Sequence, residues 1–183
     1  MRDIWIISDT HFCHENILNF TNSATGKLIR GARFVDVEEM NEHMIERWNS
    51  VVKQGDIVYH LGDVVMGGGH EWFKKNWPRL HGSKRLVVGN HDDIKFLSSG
   101  SFFQKVVESR DFRDMGLLLT HRPQHLSQLW NYKKDCPMVN VHGHIHEKPS
   151  PDGPYINVSV EAIDYTPVHI DTIAQQSKEL LNV

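Results

Sequence analysis

Residues 2–11 read RDIWIISDTH, an apolar run closed by the polar cluster Asp9-Thr10-His11. Arg2 to Ser8 is predicted to be a buried strand, so Asp9 and His11 fall where that strand ends. The pattern then recurs along the chain. Ile57 to Leu61 reads as a strand ending in Gly62-Asp63, and Arg85 to Val88 as one ending in Gly89-Asn90-His91. Leu117 to Leu119 ends in Thr120-His121, and Pro137 to Val141 runs into His142-Gly143-His144-Ile145-His146. Further strands are expected over Tyr155 to Val160 and Val168 to Ile170. Between them, Val37, Met40, Met44, Trp48 and Val51 recur at helical spacing, giving a helix over 37–52. Asp36 and Glu39 stand ahead of it as a capping-box variant. A second helix is predicted over 70–77, halted or kinked by Pro78, and a last one from a cap at Asp171 to about Leu181. Residues 21–35 read as an irregular loop. Strands alternating with helices place the chain in the α/β class. In such sheets ligands sit beyond the carboxyl ends of the strands, so five scattered polar clusters should converge on one place.

Length and composition narrow the possibilities. The chain has 183 residues, 39% of them hydrophobic and 23% charged. Those values suit one globular domain spanning 1–183 and exclude disordered or collagen-like states. The net charge of −3 is no blanket of positive charge, so broad electrostatic capture of nucleic acid or anionic membrane is not expected. No stretch approaches the ~20 apolar residues of a membrane span, and the start lacks the features of a signal peptide. Cys13 and Cys136 form no framework pattern, which fits a reducing, cytoplasmic setting. Thirteen histidines, several clustered, direct attention to metals.

The clusters have the composition of a metal site. In an extended segment residues i and i+2 point the same way. Asp9 and His11 would then reach one ion, or His144 and His146 would address two neighbouring ions from one loop. Carboxylate, imidazole and amide ligands together suit Mn²⁺, Fe or Zn²⁺ rather than copper thiolate or all-oxygen Ca²⁺ sites. Two cations held ~3.5–4 Å apart need a bridging carboxylate to offset their repulsion.

The ordered blocks Asp-x-His, Gly-Asp, Gly-Asn-His-Asp, His and Gly-His-x-His, from Asp9 to His146, resemble the calcineurin-like metallophosphoesterase superfamily. The stretches DTHFCHENI, GDIVYHLGD and VVGNHDD are similar to its small bacterial or phage-type members. The resemblance implies a four-layer α/β/β/α sandwich and two divalent metal ions, manganese first, with iron, zinc or nickel also compatible. It implies that Asp9, His11 and His146 hold the first metal, that Asn90, His121 and His144 hold the second, and that Asp63 bridges them. A metal-bridging hydroxide would attack phosphorus in line, with His91 assisting the leaving oxygen as general acid or cationic stabiliser. The one local departure is Cys13, where relatives commonly carry glycine.

Other residues admit plainer readings. His14 is a candidate for a substrate or supporting role, with helix capping as the alternative. Arg122, beside His121, and Arg33, in the loop before Asp36, each offer a guanidinium to clamp a phosphate oxygen; Arg122 is the better placed. His60 and His142 read as structural histidines. Lys74, Lys75, Arg79, Lys84 and Arg85 read as a solvated face rather than a nucleic-acid groove, and Trp72, Phe73 and Trp77 as core. Asp92 and Asp93 either orient His91 or cap the following helix. The expected activity is hydrolysis of a small, nucleotide-like phosphate mono- or diester. The alternatives are a nuclease on the same scaffold, which would want a basic track, and a non-catalytic scaffold, which predicts eroded ligands.

Overall fold

A computed structural model of the chain describes residues 2–131 and 135–181. Its strands are β1 (Ile4–Ile7), β2 (Ile57–His60), β3 (Ser83–Val87), β4 (Lys105–Val107), β5 (Ser109–Phe112), β6 (Leu117–Thr120), β7 (Trp130–Asn131), β8 (Cys136–Pro137), β9 (Val139–His142), β10 (Tyr155–Asn157) and β11 (Val168–His169). The helices are α1 (Val37–Val51), α2 (His70–Asn76), α3 (Ile94–Ser99) and α4 (Ile170–Leu181). One sheet has the order β11-β1-β2-β3-β4, with β1 to β4 parallel and β11 antiparallel. The other has the order β10-β9-β6-β5, parallel apart from β5. The fold is thus mixed α/β with parallel and antiparallel sheets, consistent with a calcineurin-like fold. Among the described residues no helix is long and apolar enough to cross a membrane.

Successive residues of the first sheet serve two different cores, as the two-residue period of a strand requires. Ile7, Val58 and Leu86 pack with Met40, Met44, Trp48 and Phe73 on the helical side. Ile6, Tyr59 and Val87 meet Leu117, Leu119, Val139 and Val141 of the second sheet, joined there by Ile170 and Ile173 of α4. Burying each such side chain contributes roughly 1.5–3 kcal/mol. Trp48 lies at the centre of the first core, fully buried, with its indole N–H donated to the His81 carbonyl at 3.0 Å.

The helix-start reading at Asp36 is realised with a variation. Asp36 Oδ1 accepts from the Glu39 N–H at 2.8 Å, while Glu39 Oε2 accepts from Val35 N rather than from the cap residue itself. Pro78 does not simply stop α2; the chain tightens into a 3-10 turn over Trp77–Arg79. α4 begins at Ile170, so Asp171 sits inside its first turn instead of capping it. The third strand starts at Ser83, earlier than its apolar residues suggested, because β2 and β4 supply backbone partners on both sides. β4, β5 and the hairpin β7–β8 were not foreseen. Each has four residues or fewer, and β5 carries Arg110 and Asp111, so none offers an apolar run.

Candidate metal centre

Five strands, β1, β2 and β3 of one sheet and β6 and β9 of the other, deliver the polar clusters from their carboxyl ends. Backbone hydrogen bonds then join the loops: Asp9 N to Gly62 O, His11 N to Asp63 O, and Gly143 N to His121 O, all at 2.9–3.0 Å. The result is two groups of side chains. Ligand atoms of Asp9, His11 and His146 lie within 4.8 Å of one another, and so do those of Asp63, His121 and His144. Asn90 joins the second group, with its Oδ1 3.0 Å from His121 Nε2. Asp63 stands between the groups, its Oδ2 3.6 Å from His11 Nε2 and 3.4 Å from His121 Nε2.

The backbone reason for this convergence differs from the sequence expectation. Asp9, His11, Asp63, His144 and His146 all have φ between 47° and 70°, in the left-handed region rather than in an extended segment. Such conformations cost about 1–3 kcal/mol each in non-glycine residues and cluster at functional sites. Close approach also explains two glycines. A Cβ at Gly143 would lie 2.1 Å from Asp9 Oδ2, and one at Gly89 would lie 2.2 Å from Asp63 Oδ1. Cys13 has φ 65°, so the glycine that relatives commonly carry there meets a conformation glycine adopts freely. Its thiol is pushed up to about 11 by burial, against a contact from Asn41.

The donor atoms and their electrostatics fit divalent cations. Asp9 is fully buried; its Oδ2 accepts from His144 N and Ser159 Oγ, whereas Oδ1 has no hydrogen-bond partner and lies 3.9 Å from His11 Nε2. Both ring nitrogens of His11 are likewise buried without a hydrogen bond. Burial, with Arg30 adding to it, lowers His11 to about 2, and burial together with His121 and Arg122 lowers His144 to about 4, so both imidazoles are neutral. Burial opposes the charge of Asp63, but His121, the His91 N–H and His11 outweigh it and hold the carboxyl well below the ordinary range. Burial alone raises Asp9, against His121 and His146. Neutral imidazoles and an ionised carboxylate are the forms in which His11, His144 and Asp63 would bind metal; His121 and His146 are raised despite burial, by Asp63 and Glu161, so both would give up a proton more reluctantly to a cation.

Sequence reasoning missed the support beneath His146. His146 Nδ1 lies 2.9 Å from Glu161 Oε1, and the Arg30 Nε–H donates to the same oxygen at 2.7 Å. Arg30 is fully buried and also donates to the backbone carbonyls of Asp9 and Thr10 at 2.6 and 2.9 Å. A carboxylate on one ring nitrogen fixes the tautomer and leaves the other nitrogen free as a ligand. Glu161→Gln should therefore weaken cation binding about 10- to 100-fold and lower the melting temperature, because Arg30 loses its buried counter-charge. Calorimetric metal titration and a thermal melt check this; wild-type affinity in the variant would contradict it.

The two aspartates after His91 divide their tasks. Asp93 caps α3 through Phe96 N. Asp92 accepts from the backbone N–H groups of Asp63, Val64 and Gly89, tying the second and third ligand loops together. His91 is exposed; its N–H donates to Asp63 Oδ1 at 2.9 Å and its ring is 6.0 Å from that of His11. His14 occupies the N-cap position of the 3-10 turn Glu15–Asn19 but makes no side-chain cap; its ring contacts His11 and Phe20 instead. Exposed Arg122 lines a shallow cavity with Asn90, His121 and Gln124. Arg33 is not brought to the cluster. Its guanidinium pairs with Asp164 at 2.5 Å and lies over the Tyr165 ring.

His60, His142, Arg79, Lys84 and Arg85 have structural partners. His60 is buried, 3.0 Å from Thr10 Oγ1, and His142 is buried between Gly143 O and Ser150 Oγ. Arg79 makes a bidentate pair with Glu42, Arg85 donates to Tyr59 Oη, and Lys84 reaches the Leu80 carbonyl. Phe73 and Trp77 are core, and Trp72 stacks on Phe12.

Comparison with known proteins agrees with this geometry. A family model described as a calcineurin-like phosphoesterase superfamily domain matches residues 1–161. The chain is 36% identical over 183 aligned residues to the uncharacterized protein MJ1445 of Methanocaldococcus jannaschii, covering 96% of this chain and 91% of that one. It is 28% identical to the gene 66 protein of Mycobacterium phage L5, over 80% of this chain and 78% of the relative. The crystal structure of AQ665 from Aquifex aeolicus, a protein of unknown function, superimposes with a TM-score of 0.66 at 27% identity, covering 96% of this chain and all of that one.

Proposed function

The chain belongs to the calcineurin-like phosphoesterase superfamily, and on that basis we propose that it hydrolyses a small, nucleotide-like phosphate mono- or diester with two divalent cations, manganese foremost. The observation that carries this reading is the position of Asp63 Oδ2, within 3.6 Å of a ligand nitrogen in each of two flanking groups. Asp9, His11 and His146 would hold one cation, Asn90, His121 and His144 the other, and Asp63 both. When bound, such cations supply Lewis acidity, lowering the pKa of water and stabilising charge on the phosphoryl oxygens. The chain's own residues do the rest. Asp92 and the shared backbone hydrogen bonds hold the ligand loops in register. His91, exposed beside Asp63, is available to a leaving oxygen as proton donor or positive charge. Arg122 stands where a guanidinium can bind a non-bridging phosphate oxygen.

Arg79 with Glu42 and Arg85 with Tyr59 favour a small ester over a nucleic-acid strand, since both guanidiniums already have partners. Cys13 and Cys136 are both free, which suits a cytoplasmic setting. The test is a turnover screen of Mn²⁺-loaded protein on aryl phosphates, nucleoside monophosphates, cyclic nucleotides and short oligonucleotides. Release of phosphate or of the alcohol from the small esters is expected; hydrolysis confined to oligonucleotides would favour the nuclease reading.

A further inference from the structure

A cavity of about 420 Å³ opens beside His144 and His146, and the chemistry proposed above makes no use of it. Ile17, Ile29 and Ile145 form apolar walls, while Thr21 and Ser23 contribute hydroxyls. Phe20 also lines it, with 49% of its surface exposed. Phe20 packs one edge against His14 and leaves the rest of its ring open to the cavity. Its backbone is pinned, with Phe20 N bonded to Ile17 O and Ile29 N to Phe20 O, and the Asn22 side chain ties this loop to Glu147 on the opposite wall. Ring contacts run without a gap from His91 through His11 and His14 to Phe20, at centroid separations of 5.6–6.0 Å. The cavity thus borders the ligand cluster at His144 and His146, and its Phe20 wall connects through His14 to the ligand His11, the ring that His91 also meets.

Resting on the phosphoesterase reading, we propose that this cavity receives the leaving group of the ester and that Phe20 stacks on a flat, uncharged ring there, as a nucleobase would supply. Volume and lining narrow the occupant. The space is of the size that small-molecule sites have. Glu147 and Lys148 line it with opposite charges, and the Glu161 carboxylate there is already paired with Arg30 and His146. Nucleoside esters are favoured over sugar or glycerol phosphates, which have no ring to stack.

The experiment compares wild type, Phe20→Ala and Phe20→Tyr, all Mn²⁺-loaded, on adenosine monophosphate and glycerol phosphate. Wild type should discriminate in favour of the nucleoside ester. Phe20→Ala should reduce that discrimination roughly tenfold, mainly through KM for the nucleotide, the scale on which loss of one base-stacking aromatic is felt. Phe20→Tyr should restore it. Equal effects of Phe20→Ala on both esters, or none on either, would overturn the pocket assignment while leaving the phosphoesterase reading intact. Binding of adenosine itself to metal-free protein, followed by ligand-observed NMR, separates the two claims. Adenosine binding that weakens in Phe20→Ala supports the pocket even if no ester is hydrolysed, in which event the catalytic reading fails; no adenosine binding to wild type counts against the pocket.

Discussion

Asp63→Asn should loosen both cations together and reduce ester hydrolysis by at least roughly 10²–10³-fold, the range seen when one preorganised electrostatic contact is lost. The side chain is 2% exposed, with Oδ2 close to His11 and His121 and Oδ1 receiving the His91 N–H. An amide of the same shape keeps the hydrogen-bond geometry but removes the negative charge that two neighbouring cations would share. His146→Ala provides the contrast. It removes a ligand from one group only and should weaken mainly one binding event. Calorimetric metal titration distinguishes the two; two undiminished binding events in Asp63→Asn would remove the bridging assignment.

His91→Asn should leave both cations bound and cost about 10²–10⁴-fold in turnover. The loss should depend on the leaving group. A nitrophenolate departs without a proton, so an activated aryl ester should suffer least; a ribose or glycerol alkoxide departs poorly, so its ester should suffer most. Rates of variant and parent across esters of graded leaving-group pKa measure this. A loss equal for all esters would favour simple phosphate positioning, and loss of metal would place His91 among the ligands.

The sequence made the strand-end clusters readable because their spacing is local: the first ligand of each cluster sits within three residues of an apolar run. That was enough to bring Asp9, His11, Asp63, Asn90, His121, His144 and His146 to one place, as the structure does. The supports were less accessible. Arg30 lies in an irregular loop, and nothing near it in sequence shows that its side chain enters the core to meet Glu161, 131 residues away. Glu161 was within reach of the same strand-end rule, since it follows the apolar Val158-Ser159-Val160 just as Asp9 follows Ile7-Ser8. The left-handed backbone at five ligand positions carried only a weak signal, because Asp and His, though enriched among non-glycine residues at positive φ, far more often adopt negative φ. Arg33 illustrates a related point. Its loop position made it a candidate clamp for phosphate, but the partners that its guanidinium finds in the structure, Asp164 and Tyr165, are distant in sequence. Asp92 shows the limit most clearly: its place after His91 left orienting that ring and capping the following helix both open, whereas its carboxylate serves three backbone amides.

The central claim, that hydrolysis depends on two cations sharing Asp63, is tested most directly by titrating Mn²⁺ into exhaustively chelated protein while following hydrolysis of an activated aryl phosphate. The account predicts no turnover at the outset and a rise that saturates near two equivalents per chain. Full turnover in the chelated protein, or saturation at one equivalent, would contradict it.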